Sequence, residues 1–287
     1  MRQTLYLLLS AVATSVAAQA QLVDEFNPPV SNCCLPNTAN TLANSARSLA
    51  DQLQDWNQLG RYHAANEDLK KQPAELKRVV FMGDSITDGW RLAEYFPGKP
   101  YVNRGISGQT TPQMLARMYA DVIDLKPAAM VVLAATNDIA HNTGPETAVM
   151  IEENLMAMTE LAQVHGIKAI LCSVTPISDY PFLQSQQNPP AGRGGQAGAP
   201  GGGGGRGFGG RAQQTNQRPP ADILKLNAWM KGYAAKSGAI YADYFTALVD
   251  DKGWLKDGIS ADGLHPNAEG YKLMVPVIEA AIQKALP

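Results

Sequence analysis

The sequence predicts a three-layer α/β domain, in which helices cover both faces of a mostly parallel β-sheet. From Arg78 onward, short apolar runs alternate with stretches of helical periodicity, which is the element order of such domains. The runs are apolar at nearly every position, as expected of strands that are buried on both faces. The formal net charge is only -2 and 17% of the residues are charged, so neither nucleic acid nor an acidic membrane surface is favoured as a partner.

The strands of the predicted sheet correspond to these apolar runs. The runs span residues 79–82, 129–133, 169–174 and 239–241, and residues 101 and 102 are a shorter candidate. Ligands of open α/β sheets bind beyond the carboxyl ends of the strands. The residues that follow each run are therefore the first places to search for a functional site.

Three segments of the domain predict long helices. One begins at Pro145, a residue type suited to a first helical turn, and stops at Gly166. The second spans residues 221–237. The last follows Asn267, and Pro276 is expected to kink or break it, because proline lacks a backbone N–H and clashes with the preceding turn.

The N-terminal part of the chain is predicted to lie outside this domain. Arg2, an apolar run and the small residues up to Ala20 are typical of a secretory signal peptide over residues 1–20, cleaved after Ala20. Residues 21–77 are then a polar segment and a helix that packs against the domain at 78–287. We therefore expect a secreted or periplasmic protein without stable membrane insertion.

One segment interrupts the domain. Residues 187–220 are dominated by Gly, Pro, Gln and Arg. This composition buries too little apolar surface to offset its ordering entropy, so the Gly-rich insert is predicted to be disordered. Arg-Gly sequences at Arg193 and Arg206 are typical of RNA-binding segments. They leave a non-catalytic binding module as the alternative function, against which the signal peptide argues.

The three cysteines offer no zinc-binding spacing, and neither a metal nor another cofactor is expected. Cys172 lies in an apolar run and is predicted to be a buried thiol. The sequence does not indicate the state of the adjacent Cys33 and Cys34.

A candidate nucleophile follows the first predicted strand. The sequence Gly83-Asp84-Ser85 places a serine on a tight turn at the start of a helix, where a backbone N–H faces a developing negative charge. For this tripeptide alone, a serine that merely caps the next helix is the more frequent arrangement.

A serine nucleophile needs a base and a carboxylate that orients the base. Of the four histidines, His63 is expected on the surface and His165 at a helix C-terminus, where the helix dipole explains it. The other two each follow an aspartate by three residues, in the pairs Asp138 with His141 and Asp262 with His265. Spacing alone does not choose between these two pairs.

Four short blocks resemble, in order, the motifs of the SGNH hydrolases, also called GDSL-type esterases and lipases. The blocks are Gly83-Asp84-Ser85, Gly105 within the sequence Asn103-Arg104-Gly105-Ile106-Ser107-Gly108, Thr136-Asn137-Asp138, and Asp262-Gly263-Leu264-His265-Pro266-Asn267. Each block follows a predicted strand or lies in a loop. The resemblance implies a flavodoxin-like α/β/α fold with a central parallel sheet of about five strands.

The resemblance also implies a role for each matched residue. Ser85 would be the nucleophile, His265 the general base and Asp262 its orienting carboxylate. The oxyanion hole would consist of the backbone N–H groups of Ser85 and Gly105 and the side-chain amide of Asn137. Asp138 would be a structural carboxylate beside this hole, which leaves His141 as a loop residue. Ala135 stands where the family's third block begins with glycine, and its methyl group is expected to narrow the pocket or shift the loop.

The function implied by the resemblance is hydrolysis of carboxylic esters through an acyl-serine intermediate. Short-chain acyl esters, lysophospholipids and acetylated sugars all fit this chemistry, so the expected partner is a small-molecule, sugar or lipid ester. No long apolar lid that would demand a lipid is visible in the sequence. The shallow, loop-built site typical of the family implies small acyl groups. The sequence does not indicate the natural substrate or the oligomeric state.

Overall fold

The structure, a computed structural model, describes residues 54–72, 77–187 and 213–287. Its strands are β1 (Val79–Gly83), β2 (Tyr101–Gly105), β3 (Ala129–Leu133), β4 (Lys168–Cys172) and β5 (Ile240–Ala242). They form a five-stranded sheet in the order β2-β1-β3-β4-β5, and every neighbouring pair is parallel. The predicted flavodoxin-like parallel sheet is confirmed.

Helices connect the strands and cover the sheet. In chain order the helices are α1 (His63–Lys70), α2 (Ser85–Asp88), α3 (Leu92–Tyr95), α4 (Thr111–Ala116), α5 (Met118–Asp121), α6 (Thr136–Ile139), α7 (Ala148–Val164), α8 (Tyr180–Gln187), α9 (Gln214–Gln217), α10 (Pro220–Ser237), α11 (Tyr244–Leu248) and α12 (Ala268–Ala285). A single 3₁₀ turn at Ile123–Leu125 precedes β3.

The core lies on both faces of the sheet. Successive residues of a strand point to opposite faces, so Val80 and Met82 pack against α4, α5, α7 and α10. Val79 and Phe81 pack against α2, α3, α11 and α12 on the other face. All four side chains are at most 1% exposed, and burying a side chain of this size contributes about 1.5–3 kcal/mol. The predicted three-layer architecture follows from this double burial.

Two predictions about proline are wrong in detail. Pro145 lies outside α7, because Thr147 caps that helix by accepting the Met150 N–H at 3.1 Å. The last helix, α12, continues past Pro276 without a break. Met274 on one side of the proline is fully buried in the core, and this packing outweighs the missing backbone hydrogen bond.

The predicted bounds of the Gly-rich insert need a correction at both ends. Gln187 is the last residue of α8, and residues 214–217 form α9. Arg218 is only 5% exposed and makes several hydrogen bonds, which explains why this stretch is ordered despite its composition. The remaining residues, 188–212, lie outside the described part of the chain, as do Arg193 and Arg206.

Several other predictions also fall outside the described residues, namely the signal peptide over 1–20, the start of the 21–77 segment, Cys33 and Cys34. Cys172 is a buried free thiol, as predicted. Within residues 54–72, 77–187 and 213–287, no helix is long and apolar enough to cross a membrane. The same residues contain no cluster of three or more His, Cys, Asp or Glu side chains able to hold a metal ion.

Candidate active site

The structure brings Ser85, His265 and Asp262 together beyond the carboxyl ends of the strands. Ser85 Oγ lies 2.8 Å from Nε2 of His265, and Nδ1 of His265 lies 2.6 Å from Oδ2 of Asp262. Because an ionised carboxylate only accepts hydrogen bonds, Nδ1 carries the ring proton and Nε2 accepts the proton of Ser85. This is the arrangement of a serine nucleophile with its base and the base's orienting carboxylate.

The turn after β1 fixes the position of Ser85. Asp84 caps α2, because its Oδ1 accepts the N–H of Ile86 at 2.9 Å. Ser85 is consequently the first residue of α2, and its own N–H donates to no other atom of the described residues. Ser85 therefore presents both a hydroxyl and an uncommitted backbone N–H to a ligand.

A tight loop before α12 fixes the other two groups. Oδ1 of Asp262 accepts the backbone N–H of Leu264 at 3.0 Å and that of His265 at 2.9 Å. Burial opposes the charge of Asp262, but hydrogen bonds from the ring and backbone of His265 hold the pKa of Asp262 below its usual value. Gly263 has a φ of +82°, and a Cβ there would lie 2.0 Å from the carbonyl oxygen of Ser178. Only glycine fits this position.

Asn137 lies in α6, directly beyond β3, and is 3% exposed. Its Nδ2 donates to the carbonyl oxygen of Gln109 at 3.0 Å, and since a primary amide has two N–H hydrogens, one remains for a ligand.

Ala135 precedes α6 with a φ of +83°, a backbone region that favours glycine. Its methyl group packs in the core and does not line the cleft, so the predicted narrowing of the pocket is not observed.

The structure corrects the prediction for Gly105. Its N–H donates to Oδ1 of Asn103 at 2.8 Å, so it is not available to an oxyanion. A glycine is needed there for packing, because a Cβ would lie 2.1 Å from the backbone nitrogen of Asp88. Gly108, the next glycine of the same block, has a φ of +82°, and its N–H donates to no other atom of the described residues. Gly108 is the candidate donor that the sequence prediction missed.

The residues around Ser85 form an open cleft of about 480 Å³ that has both polar and apolar walls. Its lining residues are Ser85, Asp88, Gly89, Ser107, His265, Pro266 and Tyr271. Asp88 is held by Arg61 at 2.8 Å on one oxygen and by the Ser107 hydroxyl at 2.7 Å on the other. The cleft therefore presents hydroxyl and carboxylate groups close to the nucleophile.

The alternative pair of Asp138 and His141 does not form the base. Asp138 is fully buried, and its Oδ1 accepts the N–H of Thr111 at 2.8 Å and the Thr111 hydroxyl at 2.5 Å. It thus joins α6 to α4 as a structural carboxylate. His141 is half-buried on the loop after α6, and the hydroxyl of Ser85 bonds to His265 instead.

The other two histidines lie where the sequence predicts them. His63 is exposed at the start of α1, and His165 is the C-terminal capping residue of α7.

Comparison with known proteins identifies relatives in sequence and in fold. A GDSL-like lipase from Bacteroides thetaiotaomicron superposes with a TM-score of 0.65 at 34% sequence identity, over 80% of this chain and 99% of that one. Esterase TesA of Pseudomonas aeruginosa is 30% identical over 126 residues, and the lipoprotein YqeF of Bacillus subtilis is 35% identical over 118 residues. These two alignments cover 39% and 34% of this chain, and only 61% of TesA and 49% of YqeF.

The family assignment rests on a longer match. The model of the GDSL-like Lipase/Acylhydrolase family matches residues 81–273. This span includes all four sequence blocks. The chain belongs to the GDSL-like Lipase/Acylhydrolase family.

Proposed function

We propose that this protein is a serine ester hydrolase that cleaves small carboxylic esters through an acyl-Ser85 intermediate. The observation that carries the proposal is the continuous hydrogen-bonded chain from Ser85 Oγ through the His265 ring to Asp262. Such a chain both activates a serine hydroxyl and stores its proton for the leaving group.

The first half of the reaction forms the acyl-enzyme. Ser85 Oγ attacks the carbonyl carbon of the ester, and its proton passes to Nε2 of His265. Asp262, held ionised by its hydrogen bonds, stabilises the resulting imidazolium. The tetrahedral intermediate then expels the alcohol, which takes the proton from Nε2 and leaves the acyl group on Ser85.

The second half returns the enzyme to its starting state. A water molecule gives its proton to Nε2 of His265 and attacks the acyl carbon. The new tetrahedral intermediate collapses, Ser85 Oγ takes back the proton, and the carboxylic acid leaves. No cofactor takes part in either half.

Three donors would stabilise the oxyanion of both intermediates. They are the N–H of Ser85, the N–H of Gly108 and the second Nδ2 hydrogen of Asn137. The support for this set is that the two backbone groups are free of other acceptors within the described residues and that the Asn137 amide is buried and held. Removing a single donor of this kind typically costs about 10²–10³ in rate.

The cleft favours small acyl groups and a polar alcohol. Four of its lining side chains are Ser85, Asp88, Ser107 and His265, which offer hydrogen bonds rather than an apolar channel. A long acyl chain would have to leave its methylenes in water and so would gain little from binding. Acetylated sugars and other short-chain esters therefore suit the cleft better than lipids.

Export is part of the proposal. It is supported by the signal-peptide pattern that ends at Ala20 and by the likeness to YqeF, which is described as a lipoprotein. N-terminal sequencing of protein recovered from the periplasm or medium should begin near Gln21. Exported protein that retains Met1 would contradict it.

The test of the proposed activity is the turnover of p-nitrophenyl acetate by the purified protein. Ser85→Ala and His265→Ala should each lower kcat by several orders of magnitude. The matched control is His141→Ala, since His141 also lies three residues after an aspartate, whereas the hydroxyl of Ser85 bonds to His265. Circular dichroism of each variant checks that it is folded.

The outcome of this comparison is decisive. Turnover that survives in folded Ser85→Ala would refute the assignment of the nucleophile. A larger loss in His141→Ala than in His265→Ala would refute the assignment of the base. A series of p-nitrophenyl esters from acetate to decanoate tests the substrate class, and kcat/KM should fall as the acyl chain lengthens.

A further inference from the structure

Arg218 is a buried arginine between α6, which carries Asn137, and the loop before α12, which carries Asp262 and His265. It directly follows α9 and is 5% exposed. Its Nε donates to the carbonyl and hydroxyl oxygens of Thr136 at 3.0 and 3.1 Å, and its Nη2 lies 3.5 Å from Oδ1 of Asn137. Its Nη1 donates to Oε1 of Gln214 at 2.9 Å and to Oε1 of Gln217 at 3.2 Å. All three nitrogens of the guanidinium are therefore in use.

The charge of Arg218 has no direct counter-ion among the described residues. Arg218 forms no salt bridge with any residue that the structure describes. Burial lowers its pKa to about 10, while the more distant charges of Asp84 and Asp262 oppose this shift, so the guanidinium is charged at neutral pH. Burying a charge that has no contacting counter-ion costs free energy of folding. Groups whose pKa is strongly shifted by burial cluster at functional sites.

The contact with Asn137 determines which way its amide faces. A guanidinium can only donate hydrogen bonds, and a backbone carbonyl can only accept them. Arg218 on Oδ1 and the Gln109 carbonyl on Nδ2 therefore select one of the two orientations of the amide. In the other orientation, Oδ1 would replace Nδ2 as the neighbour of the oxyanion and would repel it.

The same arginine is tied to the loop of the triad. Gln214 accepts from Arg218 with Oε1 and donates with Nε2 to the backbone oxygen of Asp262 at 3.2 Å. Thr215 holds the same segment to Asp179 through both its N–H and its hydroxyl. The segment 214–218 thus connects α6 with the loop before α12.

We propose that Arg218 is a positioning residue of the oxyanion hole, which holds the Asn137 amide with its Nδ2 towards the oxyanion and adds a fixed positive charge behind it. This inference rests on the proposed esterase function. Both effects favour the transition state over the bound ester, because negative charge develops on the oxygen only after attack.

The experiment is a double-mutant cycle on p-nitrophenyl acetate turnover with Arg218→Met and Asn137→Ala. Arg218→Met should lower kcat by about ten- to a hundredfold with KM changed less than about twofold. In the Asn137→Ala background the same substitution should cost less, because the orienting effect acts through the amide that has been removed and only the effect of the charge remains. Arg218→Lys keeps the charge but loses the forked contacts, and its kcat should lie between those of Arg218→Met and the unaltered protein.

The matched control is Arg78→Met. Arg78 is another buried arginine, 6% exposed, that donates to the carbonyl oxygen of Leu125 at the opposite end of the sheet. It should lower the melting temperature without lowering kcat. If Arg218→Met does not fold, Arg218→Lys and Gln214→Ala each take its place in the cycle with Asn137→Ala. Each of them should show the same coupling to Asn137.

Three results would overturn the inference, namely an unchanged kcat, a loss confined to KM, or full additivity with Asn137→Ala. Failure of the proposed function looks different. If the unaltered protein shows no turnover that depends on Ser85, the esterase assignment itself is wrong. Ser85-dependent turnover that is indifferent to Arg218 rejects only the positioning role.

Discussion

Replacing Glu146 by glutamine is expected to stabilise the protein at alkaline pH relative to its stability at pH 6. Glu146 is 6% exposed and Asp138 is fully buried. Oδ2 of Asp138 and Oε2 of Glu146 have no hydrogen-bond donor within the described residues. Burial first, and then the adjacent Asp138 carboxylate, raise the pKa of Glu146 to about 8. We therefore expect the two acids to share a proton at neutral pH.

The sign of the effect follows from proton binding. The unfolded chain binds this proton with the usual glutamate pKa of about 4.3, whereas the folded protein holds it up to about pH 8. The stability that the protonated Glu146 contributes is complete below about pH 4.3 and is lost as the pH rises to about 8. Between pH 6 and 8 the loss is about 2 kcal/mol at most, and relaxation and water penetration at the buried pair reduce it to about 1 kcal/mol.

The assay is thermal unfolding at pH 6 and pH 8. The amide of Glu146→Gln mimics the protonated acid and donates to Asp138 at either pH. The difference in melting temperature between the variant and the parent should therefore rise by about 2–4 °C from pH 6 to pH 8. Glu269→Gln, on the exposed surface of α12, is the control and should show no such change. An equal difference between Glu146→Gln and the parent at both pH values would refute the shared proton.

Three further substitutions test the geometry of the site. Asn137→Ala should lower kcat about 10²–10³-fold while KM changes little, whereas a change in KM alone would make Asn137 a substrate-binding residue. Ala135→Gly removes the strain of a positive φ at a residue with a side chain. Its control is Ala129→Gly, because Ala129 is equally buried but lies within a strand. In urea denaturation, Ala135→Gly should lower the free energy of unfolding by about 1 kcal/mol less than Ala129→Gly does. Gly263→Ala should cost at least 2 kcal/mol more than Gly258→Ala, because both have positive φ but only Gly263 lacks room for a Cβ; equal costs would contradict this.

The fold was predictable because its signals are local. Runs such as residues 129–133 are apolar throughout, and strands buried on both faces produce that pattern directly. The place of Ser85 after β1 was predictable for the same reason. The choice of His265 over His141 was not settled by spacing, and the order of the sequence blocks supplied it.

The errors occur where a contact between distant residues decides. Gly105 and Gly108 are equally good glycines in the sequence, but the side chain of Asn103 and the packing against α2 commit Gly105 to the sheet. Arg218 stands at the end of a Gly- and Pro-rich stretch, and composition averaged over 187–220 concealed it. Its partners Thr136 and Gln214 become visible only in the fold.

The most direct test of the account is covalent labelling with a fluorophosphonate, whose phosphorus is attacked by an activated serine with loss of fluoride. Mass spectrometry of the labelled protein should find one adduct per chain, on Ser85. The label should disappear in Ser85→Ala and persist in Ser107→Ala, since Ser107 lines the same cleft but its hydroxyl donates to Asp88 rather than to a base. Labelling of Ser107, or undiminished labelling of Ser85→Ala, would contradict the assignment of Ser85 as the nucleophile.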